Sequence, residues 1–276
     1  MRGFKIIFFS IFLIYSIIIC SMAFLESHFN YNENYLIDRL KEVDKINEKK
    51  IIVFGRSHCE FGIKSKNIQL STNIKSFNLC SSAYEYEVDI LFEKLHKELD
   101  KNDIVLFSKR LPVVEQIDDS IIEKLIPNLV GRVRFMFNYN LRNEEIINKR
   151  LSNQNENGDL LNFRIIEYFE VISYSRAKYK NIHKNLKSQL NKIESSINEN
   201  TPKIIVISPP ILAEKKDVNK LKVIISKIDT KKFSNLNWIP PLVLSEKKYF
   251  TDDDHVNEAG RLLWTDYLLK ELNEKI

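Results

Sequence analysis

The sequence predicts an α/β fold: a parallel sheet covered by helices on both faces, standing behind an apolar N-terminal anchor. Three observations predict it. Short apolar runs rich in Ile and Val recur and each ends at a turn; segments with helical spacing separate several of them; and residues 6–25 carry no charge. Runs that are apolar throughout, rather than alternating, mark strands buried on both faces. The 276 residues, 44% hydrophobic, suffice for one sizeable core.

The anchor comes first. IIFFSIFLIYSIIICSMAFL (6–25) follows Arg2 and Lys5. Roughly 20 apolar residues at about 1.5 Å each match a hydrocarbon core of about 30 Å. A cleaved signal has a shorter apolar region and a small-x-small site. Ser21-Met22-Ala23 is a poor version of one, so an uncleaved single-pass helix is expected. Arg2 and Lys5 favour a cytoplasmic N-terminus and an extracytoplasmic body, although Arg39 and Lys41 on the far side soften that asymmetry. Residues 26–50 read as a polar helical linker, with a short helix near 34–40.

The body, 51–276, follows. Ile51–Phe54 is the first expected strand and Ile74–Leu79 (IKSFNL) the second. Val88, Leu91, Phe92, Leu95 and Leu99 recur at helical spacing over 84–99. Asp103–Phe107 (DIVLF) is the third strand. Lys203–Ser208 (KIIVIS) is the fourth, ended by Pro209-Pro210, which cannot continue a ladder. Ala259, Leu262, Leu263, Tyr267, Leu268 and Leu272 mark a final amphipathic helix. The stretch 112–200 is helical in pattern and reads as an insertion or elaborated crossover. Within it SNQNENGD (152–159) looks like an exposed turn.

Composition excludes several classes. Six Gly and seven Pro rule out collagen-like and Pro/Gly-rich chains. A net charge of +5 is dispersed without a Lys/Arg block, so no nucleic-acid partner is expected. The three cysteines form neither a disulfide scaffold nor a zinc pattern, and no metal or cofactor is expected. Cys20 lies in the anchor. Cys59 and Cys80 could pair in an oxidising compartment, but two separate buried thiols is the plainer expectation.

Two segments carry candidate chemistry. In IIVFGRSHCEFGI (51–63) an expected strand runs into Gly55, Arg56 and Ser57. Ligands of an open parallel sheet sit beyond the carboxyl ends of its strands, and glycine permits a tight turn there. Alone, this is as well explained by an ordinary turn. In YFTDDDHVNEAG (249–260), Asp252 and His255 would share a face in a helical turn. A carboxylate on one ring nitrogen leaves the other to face a hydroxyl. The plain alternative is that the aspartates cap the last helix and His255 is solvated.

Together FGRSHCEFG and DDDHVNEAG resemble the SGNH (GDSL) hydrolase superfamily. FNLCSSA (77–83) is similar to its second block and IIVISPP (204–210) to its late strand ending in prolines. The resemblance implies a flavodoxin-like three-layer sandwich over roughly 50–272. It makes Ser57 the nucleophile, His255 the general base and acid, and Asp252 the group that orients the imidazole. It puts the oxyanion on the backbone N–H groups of Ser57 and of Ser82 or Ala83. Two departures stand out. Arg56 occupies a position often held by Asp. The Asn of the third block is absent, leaving Ser108, Lys109 or Arg110 as substitute donors. His58 is read as a local hydrogen-bonding residue and Cys59 as packing.

With the anchor, the resemblance points to branches acting on acyl esters of envelope glycans. It implies a serine acyl-esterase or O-acyltransferase on an acylated glycan, with a membrane acyltransferase as partner. A non-catalytic glycan-binding or acyltransferase-binding subunit is the alternative from another class. A lipid esterase or thioesterase would need an apolar groove, for which Phe135, Met136 and Phe137 are candidates.

Overall fold

The computed structural model describes residues 2–29, 39–80, 99–109, 152–160, 191, 194, 202–227, 237–252 and 255–276. Its centre is a five-stranded parallel sheet in the order β2-β1-β3-β4-β6. These strands are β1 (Lys50–Phe54), β2 (Lys75–Asn78), β3 (Ile104–Ser108), β4 (Lys203–Ile207) and β6 (Asn237–Ile239). The first four fall within a residue or two of the expected runs. β6, three residues long, has too short an apolar pattern to be read from sequence. The expected helix over 84–99 lies outside the described residues except for Leu99. The insertion over 112–200 does so except for 152–160, 191 and 194.

Side chains alternate between the two faces of a strand, and here both faces are buried. Ile51, Val53, Ile104, Leu106, Ile205, Ile207 and Ile239 enter one apolar cluster. Ile52, Phe54, Val105, Phe107, Ile204 and Val206 point the other way and are equally buried. Phe54 and Phe107, neighbours in register, stack there with centroids 6.1 Å apart. The strands are thus buried on both faces, as in a parallel sheet of an α/β protein.

The first face is covered by α3 (Ser57–Gly62), α4 (Ser65–Thr72) and α6 (Glu258–Asn273), preceded in the chain by α1 (Arg2–Phe29) and a short α2 (39–44). Trp264, Leu268 and Leu272 of α6 join Ile63 and Ile68 in the cluster. Gly62 makes the α3–α6 contact possible: a Cβ there would stand 2.5 Å from the Trp264 ring. At the end of the sheet away from the strand tips, Lys50 and Asp103 form a buried ion pair at 2.9 Å. Asp103 also accepts from the N–H groups of Lys50 and Asp100.

Three expectations are refined or corrected. First, Pro209-Pro210 ends β4 as expected, and a separate parallel ladder begins beyond it, where β5 (Ile211–Leu212) pairs with β7 (Val243–Leu244), against which α5 (Val218–Ser226) packs. Second, 152–159 is no exposed turn: Gln154, Asn157 and Asp159 are buried. Asn157 lies along the outer edge of β2, accepting from the Asn78 N–H at 2.7 Å and donating through Nδ2 to the Ser76 carbonyl at 2.8 Å. The polar residues occupy backbone groups that an edge strand would otherwise leave open. Third, Cys59 and Cys80 are joined in a disulfide, with Cα atoms 5.8 Å apart. The first turn of α3 and the residue two beyond β2 are brought to bonding distance by parallel pairing of β1 with β2.

α1 is helical over its 28 residues, and its side chains are described over 8–21. Phe8, Phe9, Ile11, Phe12, Leu13 and Ile14 are all exposed. Among the described residues no helix is long and apolar enough to cross a membrane.

Candidate active site

The order β2-β1-β3-β4-β6 reverses direction between β1 and β3, the point at which open α/β sheets leave a crevice. Ser57 stands there. β1 ends at Phe54, and Gly55 turns the chain with φ +154°, a conformation that L side chains rarely adopt. A Cβ at Gly55 would lie 2.8 Å from Ser108 Cβ and 2.9 Å from Cys59 Sγ. Any side chain here would be strained and would force its neighbours to shift. Arg56 then caps α3 in extended geometry, its carbonyl accepting from the N–H groups of Cys59 and Glu60 at 3.0 and 3.1 Å. Ser57 is the first residue of the helix, where a backbone N–H has no carbonyl one turn earlier to bind.

The other half comes from the loop before α6. His255 and Asp252 are not on a helix, contrary to the expected shared helical face. An isolated antiparallel bridge, Phe250 with Val256, closes a tight loop. Within it the Thr251 N–H donates to the His255 carbonyl at 2.8 Å. The His255 N–H donates to Asp252 Oδ1 at 2.7 Å. Asp252 therefore folds back on its own loop, its carboxylate accepting from the backbone N–H three residues on. The cap of α6 is Asn257, whose side chain accepts from the Gly260 N–H at 3.1 Å; Asp252 is left for the imidazole. Asp253 and Asp254 lie outside the described residues.

The two halves meet. His255 Nδ1 lies 3.1 Å from Asp252 Oδ1 and 3.0 Å from Oδ2. His255 Nε2 lies 2.9 Å from Ser57 Oγ, across 198 residues of sequence. With the proton on Nδ1 donated to the carboxylate, Nε2 is an acceptor and the Ser57 hydroxyl donates to it. The His255 and Asp252 side chains are 26% and 14% exposed, so a substrate can reach a relay that is otherwise enclosed.

The oxyanion side is less complete. Ser82, Ala83 and Arg110 lie outside the described residues. Ser108 is buried beneath the Gly55 turn. The Lys109 N–H donates to the Ile207 carbonyl at 2.9 Å, extending the β3–β4 ladder, so this backbone donor is committed elsewhere. Two residues have a place at the site that the sequence did not reveal. The His58 ring stacks on His255 at 5.1 Å and 13°, and Phe61 meets His255 edge-on at 5.9 Å and 78°. Their spacing of three in a short helix after Ser57 is the signal that could have found them. Among the described residues no group of three or more His, Cys, Asp or Glu is gathered as a metal would need.

No family model matches the chain, and no curated protein does. Solved structures do show a distant likeness. One is a family two carbohydrate esterase from Clostridium thermocellum in complex with cellohexaose, 10% identical with a TM-score of 0.37; the match covers 83% of this chain and 64% of that one. Another is a carbohydrate esterase whose active site displays divergent catalytic and non-catalytic binding functions. It is 8% identical with a TM-score of 0.39, over 82% of this chain and 65% of that one. The chain thus spans less than two thirds of the length of these structures. Likeness at this level bears on neither activity nor substrate.

Proposed function

We propose that the chain is an SGNH-type serine acyl-ester enzyme, an esterase or O-acyltransferase, acting on acyl esters of a cell-surface polysaccharide. The observation that carries this reading is the continuous contact from Ser57 Oγ through His255 to Asp252. Ser57 attacks the ester carbonyl while His255 Nε2 takes its proton. Asp252 holds the imidazole and stabilises its positive form. The protonated imidazole then gives its proton to the departing alkoxide, and an acyl-serine remains. Water resolves it to an acid, or a sugar hydroxyl to a new ester. The Ser57 N–H, with Ser82 or Ala83, would receive the oxyanion.

In this reading residues 1–25 anchor the chain, 26–50 link, and 51–276 form an extracytoplasmic catalytic domain. The apolar surface of α1 supports the anchor, since side chains such as Phe9, 71% exposed, lie unfavourably in water and favourably in lipid. The Cys59–Cys80 disulfide supports an oxidising compartment. A transferase in that compartment lacks acyl-CoA, so a membrane acyltransferase would supply the acyl group.

The test is hydrolysis of 4-nitrophenyl acetate by the full chain in detergent. Release of nitrophenolate that Ser57→Ala reduces to background is the expected result. The committed Lys109 N–H favours a second reading, an SGNH-fold subunit that binds glycan or an acyltransferase without turnover. A folded wild-type chain that releases nothing and does not react at Ser57 would overturn the first reading and favour the second.

A further inference from the structure

We infer that His58 and Phe61 clamp the His255 imidazole and are positioning residues for the relay, an inference that rests on the serine acyl-ester reading above. The imidazole is held at Nδ1 by Asp252 and at Nε2 by Ser57. Both nitrogens flank the same ring carbon, so the two hydrogen bonds hold one side of the imidazole. Small rotations about the Cα–Cβ and Cβ–Cγ bonds, which lengthen or bend those hydrogen bonds, are resisted by them alone. Contacts with the ring's faces and edges add to that resistance. His58 supplies one, nearly parallel at 13° with centroids 5.1 Å apart. Phe61 supplies another, at 78° and 5.9 Å. Both geometries are among those aromatic pairs prefer.

The clamp is built into the nucleophile's own helix. His58 follows Ser57 directly, and Phe61 lies one turn on, so the segment that presents the hydroxyl also orients the base. His58 is 9% exposed, which makes it a fixed wall rather than a mobile surface group. The disulfide at Cys59, between the two rings in sequence, ties that turn of helix to Cys80. Small misplacements matter here, because proton transfer from Ser57 depends on the direction of the Nε2 lone pair.

The experiment compares the full chain with His58→Ala, His58→Gln and His58→Phe. The first readout is the rate of modification by a fluorophosphonate, in which Ser57 Oγ displaces fluoride and His255 takes the hydroxyl proton. His58→Ala and His58→Gln should slow it by about ten- to a hundredfold. His58→Phe, which restores a flat ring, should recover most of the rate. Far-UV circular dichroism and Tm identify any variant that does not fold. Should His58→Ala unfold, the contrast between Gln and Phe decides. Wild-type rates in the Ala or Gln variant, or a folded Phe variant as slow as the others, would overturn the clamp. The second readout is the 15N shift of the His255 ring. Asp252 sets the tautomer and the clamp sets ring motion, so the signal should be sharp in wild type and His58→Phe and exchange-broadened in His58→Gln, by averaging between ring orientations. A wild-type chain inert to the reagent would remove the enzymatic reading alone; the clamp would then stand or fall on whether His58→Gln shows that averaging.

Discussion

At the scale of residues, the site depends on a few positions with no substitute. Gly55 is needed for its φ of +154° and for the 2.8 Å that would separate its Cβ from Ser108. Asp252 is needed because it holds both the backbone N–H and the Nδ1 of His255. Asp252→Asn keeps the size of the side chain but presents an amide that can favour the wrong imidazole tautomer. On the proposed acyl-ester reading, ester turnover should fall by roughly ten-thousandfold with the fold intact; unchanged turnover in the steady state would remove Asp252 from the relay. Ser57, Asp252 and His255 could be picked out in the sequence only together, through the resemblance their two segments carry, since a strand followed by glycine and an Asp-x-x-His segment are each ordinary patterns alone; that their side chains meet is what the structure adds. The backbone that joins Asp252 to His255 was not legible there. Asp favours helix caps and loop turns alike, and only the bridge between Phe250 and Val256 shows that Asp252 sits in a closed loop and not at a helix start.

At the scale of elements, α6 carries much of the core and the cap that frees Asp252. Its buried Arg261 donates to the carbonyls of Leu160 and Ile63, tying the 152–160 segment to the end of α3. Burial pushes the Arg261 pKa down, and the nearby Asp159 and Glu258 carboxylates oppose that. Asp159 also accepts from the N–H groups of Ser65 and Lys66, capping α4 from a distant part of the chain. Such a cap cannot be read from the flanks of α4, which is why SNQNENGD looked like a solvated turn. Tyr267 on α6 gives a pH-dependent test. Its hydroxyl donates to the Pro240 carbonyl at 3.1 Å, and burial, helped by Glu271, raises its pKa to about 12. The unfolded value is about 10. The folded state therefore holds this proton where the unfolded state has released it. The resulting stability is present below pH about 10 and is lost as pH rises towards about 12. Urea unfolding of Tyr267→Phe should show a shallower loss of stability over that window than wild type. Equal slopes would place the hydroxyl in water in solution.

At the scale of the molecule, the parallel sheet was legible because its strands are uninterrupted apolar runs. β6 and the β5–β7 ladder were not, being two or three residues long. The disulfide was not, because sequence separation says nothing about the 5.8 Å between Cα atoms. It closes a span of 21 residues, for which loop-closure entropy suggests about 3 kcal/mol of stabilisation. Replacing both Cys59 and Cys80 by Ser should lower Tm by several degrees, and reductant should do the same to wild type alone. A Tm that neither change moves would mean the thiols are unpaired in solution. The central claim is the union of a hydroxyl near the start of the chain with an imidazole near its end. The measurement that tests it most directly is fluorophosphonate labelling of the full chain, with the modified peptide mapped by mass spectrometry. The adduct is predicted on Ser57 in wild type and lost in His255→Ala; no adduct at Ser57, or one formed as fast without His255, would contradict it.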